Sequence, residues 1–527
     1  MSLRPNLYDE AIMLTGSMQV AAGLLPHRDF YALYGPAGFY ILAALFKLFG
    51  QSVLIERLLD LLFRALIVAS VYTIVSAYLR RSIAVWTSAA TFFWLYGLLT
   101  AVAGTAVVPV SFLILISTAL IIPLFSTNIS KRRVFAAGAL AAATGLFRYD
   151  SGVALFVVHT CIVVTAIWLR CKANKVSALF STFWPYLLGF MVIILPPAIY
   201  YLSVSPLDPL LFDVVQFPHK YFYRSRNTPF PLIGFKSFDN VSIYLPIFVI
   251  ALSFYSFAIN SFNAIKAEEN QLNRQTEKLN GYFFSFALLA LAMYSKVLVR
   301  TAVTNSFLSA IPTLLLVAAL YQQRLTFRRS IRVFIVALAS LSVMAPAWSA
   351  ARELKNTLKV HLSVAQSLWG SVRGTEPQAK TAWCKSVNAA TRGLCFLPSD
   401  DEIQTIQFID VHTSPDQKFF VAVSKNDKIF ANDMLIYFAS QRLPATTWAE
   451  FDADLQNQTA IQKQMIQDLE HSRPPYIVLD SEFEKTQEPN DSALSSGVTL
   501  LDDYISNNYR PIQTFGVFAI RKRVPSS

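Results

Sequence analysis

Tyr8, Asp9 and Glu10, then His27, Arg28, Asp29 and Phe30, then Tyr34, Gly35 and Pro36 form a dense polar patch in an otherwise apolar chain. Adjacent carboxylates suit transfer of a sugar to a hydroxyl. One can accept the proton of the attacking oxygen while the other holds the acceptor or a divalent cation. An ordinary solvated loop would use the same residues, and spacing alone leaves both readings open. Arg148, Tyr149 and Asp150 follow at the end of a wholly apolar stretch. Ionisable groups there are costly and point to function, with an Arg148–Asp150 pair as the structural alternative. Glu56, Arg57, Asp60 and Arg64 lie at helical spacing and are expected to pair within one helix.

A later segment, Ser203 to Asn240, carries His219, Lys220, Tyr221, Arg224 and Arg226, then Pro229 and Pro231. Basic and aromatic side chains together at a membrane surface suit a lipid-linked phosphate, and equally a generic interfacial anchor. Lys296 and Arg300 end an apolar stretch and extend this positive rim. His27 and His219 lack metal-ligand spacing, which leaves any metal site unassigned. The chain has no phosphate loop, nucleotide-binding glycine fingerprint, zinc signature or nucleophile elbow, so nucleotide-sugar chemistry is unsupported.

The elements that must position these residues are membrane helices. Of 527 residues, 54% are hydrophobic and 15% charged, against roughly 25% charged in soluble proteins, which excludes a single water-soluble globule. Residues 1 to 351 carry a net charge of +15 and residues 352 to 527 a net of −3, so two bodies are expected to join near 351. The basic excess sits in the apolar part, which favours positive cytoplasmic loops over nucleic acid as its cause.

From Ser82 to Ser130 no residue is charged, a run of 49, and a span takes about 20 residues, so the run predicts two helices. Further spans are expected near 58 to 79, 134 to 149, 151 to 169, 178 to 201, 241 to 262, 281 to 298, 305 to 322 and 331 to 348, about ten in all. Alternate threading gathers Arg80 and Arg81, Lys131 to Arg133, Arg170 to Lys175, Lys266 to Lys278 and Arg324 to Arg332 on one side, with 15 basic residues and three acids. The positive-inside rule makes that side cytoplasmic and puts the tail outside. Gly38 to Leu48 reads as an interfacial helix that does not cross. In the tail, Phe419 to Val423 and Tyr476 to Asp480 read as strands, and Glu402 to Val411 and Ala460 to Glu470 as helices. The expected fold is therefore an α-helical polytopic membrane protein, residues 1–351, with a C-terminal extracytoplasmic α/β domain, residues 352–527. Cys384 and Cys395 are expected to form a disulfide in that oxidising location, with two free thiols as the alternative.

The string LYDEAIMLTGSMQVAAGLLPHRDFYALYGPAGFYILAALFKLFGQSVLIERLLDLLFR, Leu7 to Arg64, resembles the bacterial membrane glycosyltransferases of the GT-C class, relatives of protein O-mannosyltransferases and the lipid A aminoarabinose transferase. The acidic pair, the P-x-R-D-F segment, the G-P turn and the apolar helix ending in F-G carry the likeness. GLFRYDSG at 145 to 152 is similar to the class's Arg-His/Tyr-Asp segment, and FPHKYFYRSRNTPFP at 217 to 231 to its basic, proline-rich loop. The resemblance implies an inverting glycosyltransferase in the bacterial inner (plasma) membrane. It would take a sugar from a polyprenyl-phosphate donor to an extracytoplasmic acceptor. Asp9 would be the general base, and Glu10 would support the acceptor or an optional divalent cation. His27, Arg28, Asp29, Tyr34, Arg148, Tyr149, Asp150, His219, Lys220, Arg224, Arg226, Lys296 and Arg300 would serve substrate binding. Members often carry R-x-D-x-x-H where this chain has Arg300, Ala302 and Asn305, so no catalytic Asp or His is expected there. They also usually place a spanning helix before the acidic pair, whereas eight residues precede Asp9 here, so the alternatives are an N-terminus translocated without that helix or a misplaced start codon. A flippase of lipid-linked glycans and an inactive scaffold are the competing readings.

Overall fold

The computed structural model describes residues 8–127, 130–171, 174–232, 240–266, 274–372 and 399–525. Two short helices lead, α1 (Asp9–Ala21) and α2 (Pro36–Phe49), followed by α3 (Val53–Tyr78), α4 (Arg81–Gly97), α5 (Val107–Ile121, extended by a 3-10 turn to Phe125), α6 (Lys131–Phe147), α7 (Tyr149–Arg170) and α8 (Lys175–Val204). After a broken stretch containing α9 (Leu207–Leu211), two π turns (Phe212–Gln216, Pro218–Phe222) and α10 (Tyr223–Arg226) come α11 (Val241–Lys266), α12 (Arg274–Val299), α13 (Phe307–Gln323) and α14 (Arg329–Val372).

Eight of these are long and apolar enough to cross a membrane: α3, α5 with its extension, α7, α8, α11, α12, α13 and α14. With α4 and α6, 17 residues each, they coincide with the ten stretches expected from the sequence. At 14 residues α2 is about 21 Å long, and α4 and α6 are about 25 Å, all short of a hydrocarbon core of about 30 Å.

Local signals set the helix starts. Ser52 caps α3 by accepting from the Leu54 amide at 3.2 Å, and Pro36, whose missing N–H costs nothing in a first turn, opens α2. The two ends of the bundle are chemically different. Near one lie Arg80, whose amide donates to Gln322 at 2.9 Å, and Arg170, which donates to the Leu124 and Thr127 carbonyls. At the other lie Asp9, Tyr34, Arg148 and Lys296.

The tail folds as α15 (Asp400–His412), β1 (Phe420–Val423), α16 (Leu435–Ser440), α17 (Thr459–Ser472), β2 (Tyr476–Asp480), α18 (Leu500–Asn508), β3 (Tyr509–Phe515) and β4 (Phe518–Arg523). The four strands form one sheet ordered β1-β2-β4-β3, with β1 and β2 parallel and the other pairs antiparallel. A complete capping box, Ser399 with Glu402, starts α15. Both strands and both helices expected in the tail are present; the β3–β4 hairpin was not anticipated. Cys384 and Cys395 lie outside the described residues.

Helix α1 is buried from Glu10 to Val20, sandwiched between α2 and this sheet domain. Met13, Leu14 and Met18 share one cluster with Phe39, Phe46, Ile436 and Phe438, and Thr15 donates to the Met434 carbonyl at 2.9 Å. The α/β domain is therefore seated on the helix that begins with the acidic pair.

Candidate active site

Three stretches of chain converge on Asp9. The first is the start of α1. The second is the turn before α2, where Tyr34 Oη donates to Asp9 Oδ1 at 3.0 Å. The third is the α6–α7 junction, where the Arg148 guanidinium lies 5.9 Å from the Tyr34 ring centre. Gly35 makes this meeting possible. Its amide donates to the Phe147 carbonyl at 3.1 Å, and a Cβ on it would fall 2.2 Å from the Leu146 oxygen. Asp9 is half-buried. Burial holds its carboxyl above the ordinary range, against the opposing pull of the Tyr34 hydrogen bond and of Arg148 and Arg226. A carboxylate with a raised pKa, still hydrogen-bonded and partly open, is suited to taking a proton.

Glu10, one residue on, points elsewhere. It is fully buried, and Arg57 of α3 grips both its oxygens, Nε to Oε1 at 2.7 Å and Nη2 to Oε2 at 3.1 Å. The 98–106 loop closes over it, with Gly104 in the left-handed region (φ 71°), where a Cβ would lie 2.7 Å from Glu10 Cα. The expected pairing within α3 is thus half right: Asp60 and Arg64 pair at 2.5 Å, but Arg57 leaves the helix for Glu10. Among the described residues no group of three His, Cys, Asp or Glu side chains is placed to hold a metal ion. With Glu10 committed to Arg57, the site does not fit the optional divalent cation.

His27 is buried with φ 66°, a strained conformation for a residue with a side chain. It is held by Asp213 at 2.9 Å from Nδ1 and by the Tyr149 hydroxyl at 3.0 Å from Nε2. Burial raises the Asp213 carboxyl, and His27 partly offsets this. His27 and Tyr149 line a cavity of about 590 Å³ with Leu25, Tyr40, Tyr200 and Tyr201, otherwise walled by apolar side chains and prolines. Arg28 and Asp29 pair with each other, and Asp29 also accepts from the Leu25 amide at 2.8 Å, so both shape the loop beneath His27.

The expected cations divide into two sets. Arg148 and Lys296 both meet Asp150, Arg226 meets Asp452, and Arg300 meets Glu488. His219, Lys220 and Arg224 are exposed and make no ion pair among the described residues. Sequence reasoning missed the acids of the tail. Glu450 and Asp452 are buried beside Arg226, and burial, then Asp452, then Asp9, push Glu450 well above the carboxylate range. Nothing in the local run WAEFD announces this, because the partners lie more than 200 positions away.

No family model matches the sequence, and no curated protein does. Solved structures do match. ArnT from Cupriavidus metallidurans bound to undecaprenyl phosphate aligns over 100% of this chain and 95% of its own, with TM-score 0.55 and 12% identity. The fold is that of the GT-C glycosyltransferases. Its apo form aligns over 98% and 93% with TM-score 0.55 and 13% identity. The archaeal oligosaccharyltransferase AglB from Archaeoglobus fulgidus, in complex with an inhibitory peptide and a dolichol-phosphate, aligns over 99% of this chain and 71% of its own, with TM-score 0.53 and 11% identity. The GT-C fold expected from the Leu7–Arg64 string is therefore present, with the helices and the sheet domain in one alignment.

Proposed function

We propose that this chain is an inverting glycosyltransferase that takes a sugar from a polyprenyl-phosphate donor to an extracytoplasmic hydroxyl acceptor, with Asp9 as general base. The observation that carries the reading is the convergence of a half-buried, hydrogen-bonded carboxylate, a paired set of cations and an apolar cavity at one end of a GT-C bundle. Two of the matching structures, ArnT and AglB, hold polyprenyl or dolichol phosphates.

In this reading the acceptor oxygen attacks the anomeric carbon from the face opposite the phosphate. The new C–O bond forms as the bond to phosphate breaks, and the acceptor proton passes to Asp9. Charge then collects on the departing lipid phosphate, where Arg148 and Lys296 can exchange Asp150 for phosphate oxygens. The cavity beside His27 takes the isoprenoid units nearest the phosphate, its tyrosines supplying apolar faces with polar tips. Glu10 and Arg57 hold α1 in place, and Tyr34 aims Asp9. The five basic loops then face the cytoplasm of a bacterial inner membrane, and the site and the α/β domain face outward.

Turnover of a radiolabelled polyprenyl-phosphate sugar by the purified chain, with hydroxyl acceptors, tests this. Release of free polyprenyl phosphate with inverted sugar in the product is expected. Lipid-linked sugar moved between leaflets without cleavage, or bound without turnover, would overturn it.

A further inference from the structure

The opposite end of the bundle carries a feature that transfer chemistry does not use. Helices α6 and α8 pack so closely that a Cβ on Gly138 or Gly189 would lie 2.0 Å from a backbone oxygen of the other helix. Toward Lys131 the pair leaves two cavities that share Lys131, Ser181 and Pro185 as walls. The larger, about 760 Å³, is lined by Phe135, Phe180, Trp184 and Leu188, and the last three are exposed on the bundle surface. The smaller, about 290 Å³, continues past half-buried Thr182 to Arg170, which is exposed at the end of α7.

Charge in this region is one-sided. Lys131 and Arg132 are exposed at the rim, and Arg170 is anchored in the wall by the Leu124 and Thr127 carbonyls at 2.8 and 2.9 Å. Among the described residues no acid lines either cavity. The sequence has none between Asp60 and Asp150 or between Asp150 and Asp208, so α6, α7 and α8 offer no carboxylate at this end. Glu277, at the start of α12 on the same end, lines neither cavity. An apolar slot open to the bilayer, ending in a basic polar pocket, has the shape and charge of one glycerophospholipid.

We infer that the α6–α8 groove is a binding site for an anionic glycerophospholipid of the leaflet at the Lys131 end, with its phosphate between Lys131, Arg132 and Arg170 and an acyl chain along Phe180, Trp184 and Leu188. This stands apart from the transfer reading, since none of these residues belongs to the Asp9 site.

Native mass spectrometry of the delipidated full chain tests it, with dioleoylphosphatidylglycerol, dioleoylphosphatidylcholine and inorganic phosphate as probes. Phosphatidylglycerol should bind about tenfold more tightly than phosphatidylcholine, and the double variant Lys131→Ala with Arg132→Ala, both exposed and tolerable to the fold, should erase the difference. Brominated-chain phosphatidylglycerol should quench the native chain's tryptophan emission more than that of Trp184→Phe. Equal affinity for the two lipids, a double variant that still prefers phosphatidylglycerol, quenching unaltered by Trp184→Phe, or displacement of the lipid by millimolar phosphate would each overturn the inference.

Discussion

The Tyr34 hydroxyl donates a 3.0 Å hydrogen bond to Asp9 Oδ1, joining the first turn of α1 to the turn that opens α2. That bond stabilises the charged carboxylate and so lowers its pKa, while burial raises it with the larger effect. A base works deprotonated, so transfer should fall as pH drops through the Asp9 pKa, at a pH above the roughly 4 of a free aspartate. Tyr34→Phe removes the lowering contribution. The acid limb of the kcat/KM profile should therefore move to still higher pH, with a loss of under about tenfold on the plateau. An unmoved limb would separate Tyr34 from the titration of Asp9.

Arg57 holds a fully buried Glu10 by two hydrogen bonds. Removing one partner of a buried pair leaves an uncompensated charge, at a cost of about 3–5 kcal/mol. Arg57→Ala should lower the thermal midpoint of the detergent-solubilised chain far more than Arg28→Ala, whose pairing with Asp29 is exposed at the surface. Comparable midpoints for the two variants would remove the structural role assigned to Glu10.

Asp150 receives both Arg148 and Lys296. If the donor phosphate takes its place, Lys296→Ala should raise the apparent donor KM by about tenfold, one charge-assisted contact being worth more than a neutral one. Asp150→Asn, which weakens the competing partner, should leave that KM unchanged or lower it. A higher KM in Asp150→Asn with none in Lys296→Ala would put the phosphate elsewhere.

Spans and tail elements were legible because hydropathy period and charge act locally. The uncharged run from Ser82 to Ser130 needs no knowledge of the fold to be read as two helices, and the positions of α15, α17, β1 and β2 followed from spacing alone. The β3–β4 hairpin hid because β3 is largely exposed, with charged and polar residues along it, and presents no apolar alternation. Within the site, Asp9, His27, Tyr34 and Arg148 could be named in advance, and so could the local Arg148–Asp150 pair, but not the partners that come from distant segments. Whether Arg57 would turn to Asp60 or to Glu10 depends on how α1 lies against α3, and the burial of Glu450 and Asp452 depends on the sheet domain settling on α1. Those are relations between distant segments, which spacing does not encode.

The most direct measurement is sugar transfer from a polyprenyl-phosphate donor by Asp9→Asn, compared with the native chain at equal insertion and thermal midpoint. The substitution keeps the shape and can still take the Tyr34 hydrogen bond, but it cannot accept the acceptor's proton. Transfer should fall by on the order of a hundredfold or more with donor binding retained. An Asp9→Asn protein that inserts, folds and transfers sugar at the native rate would contradict the assignment of Asp9 as the base.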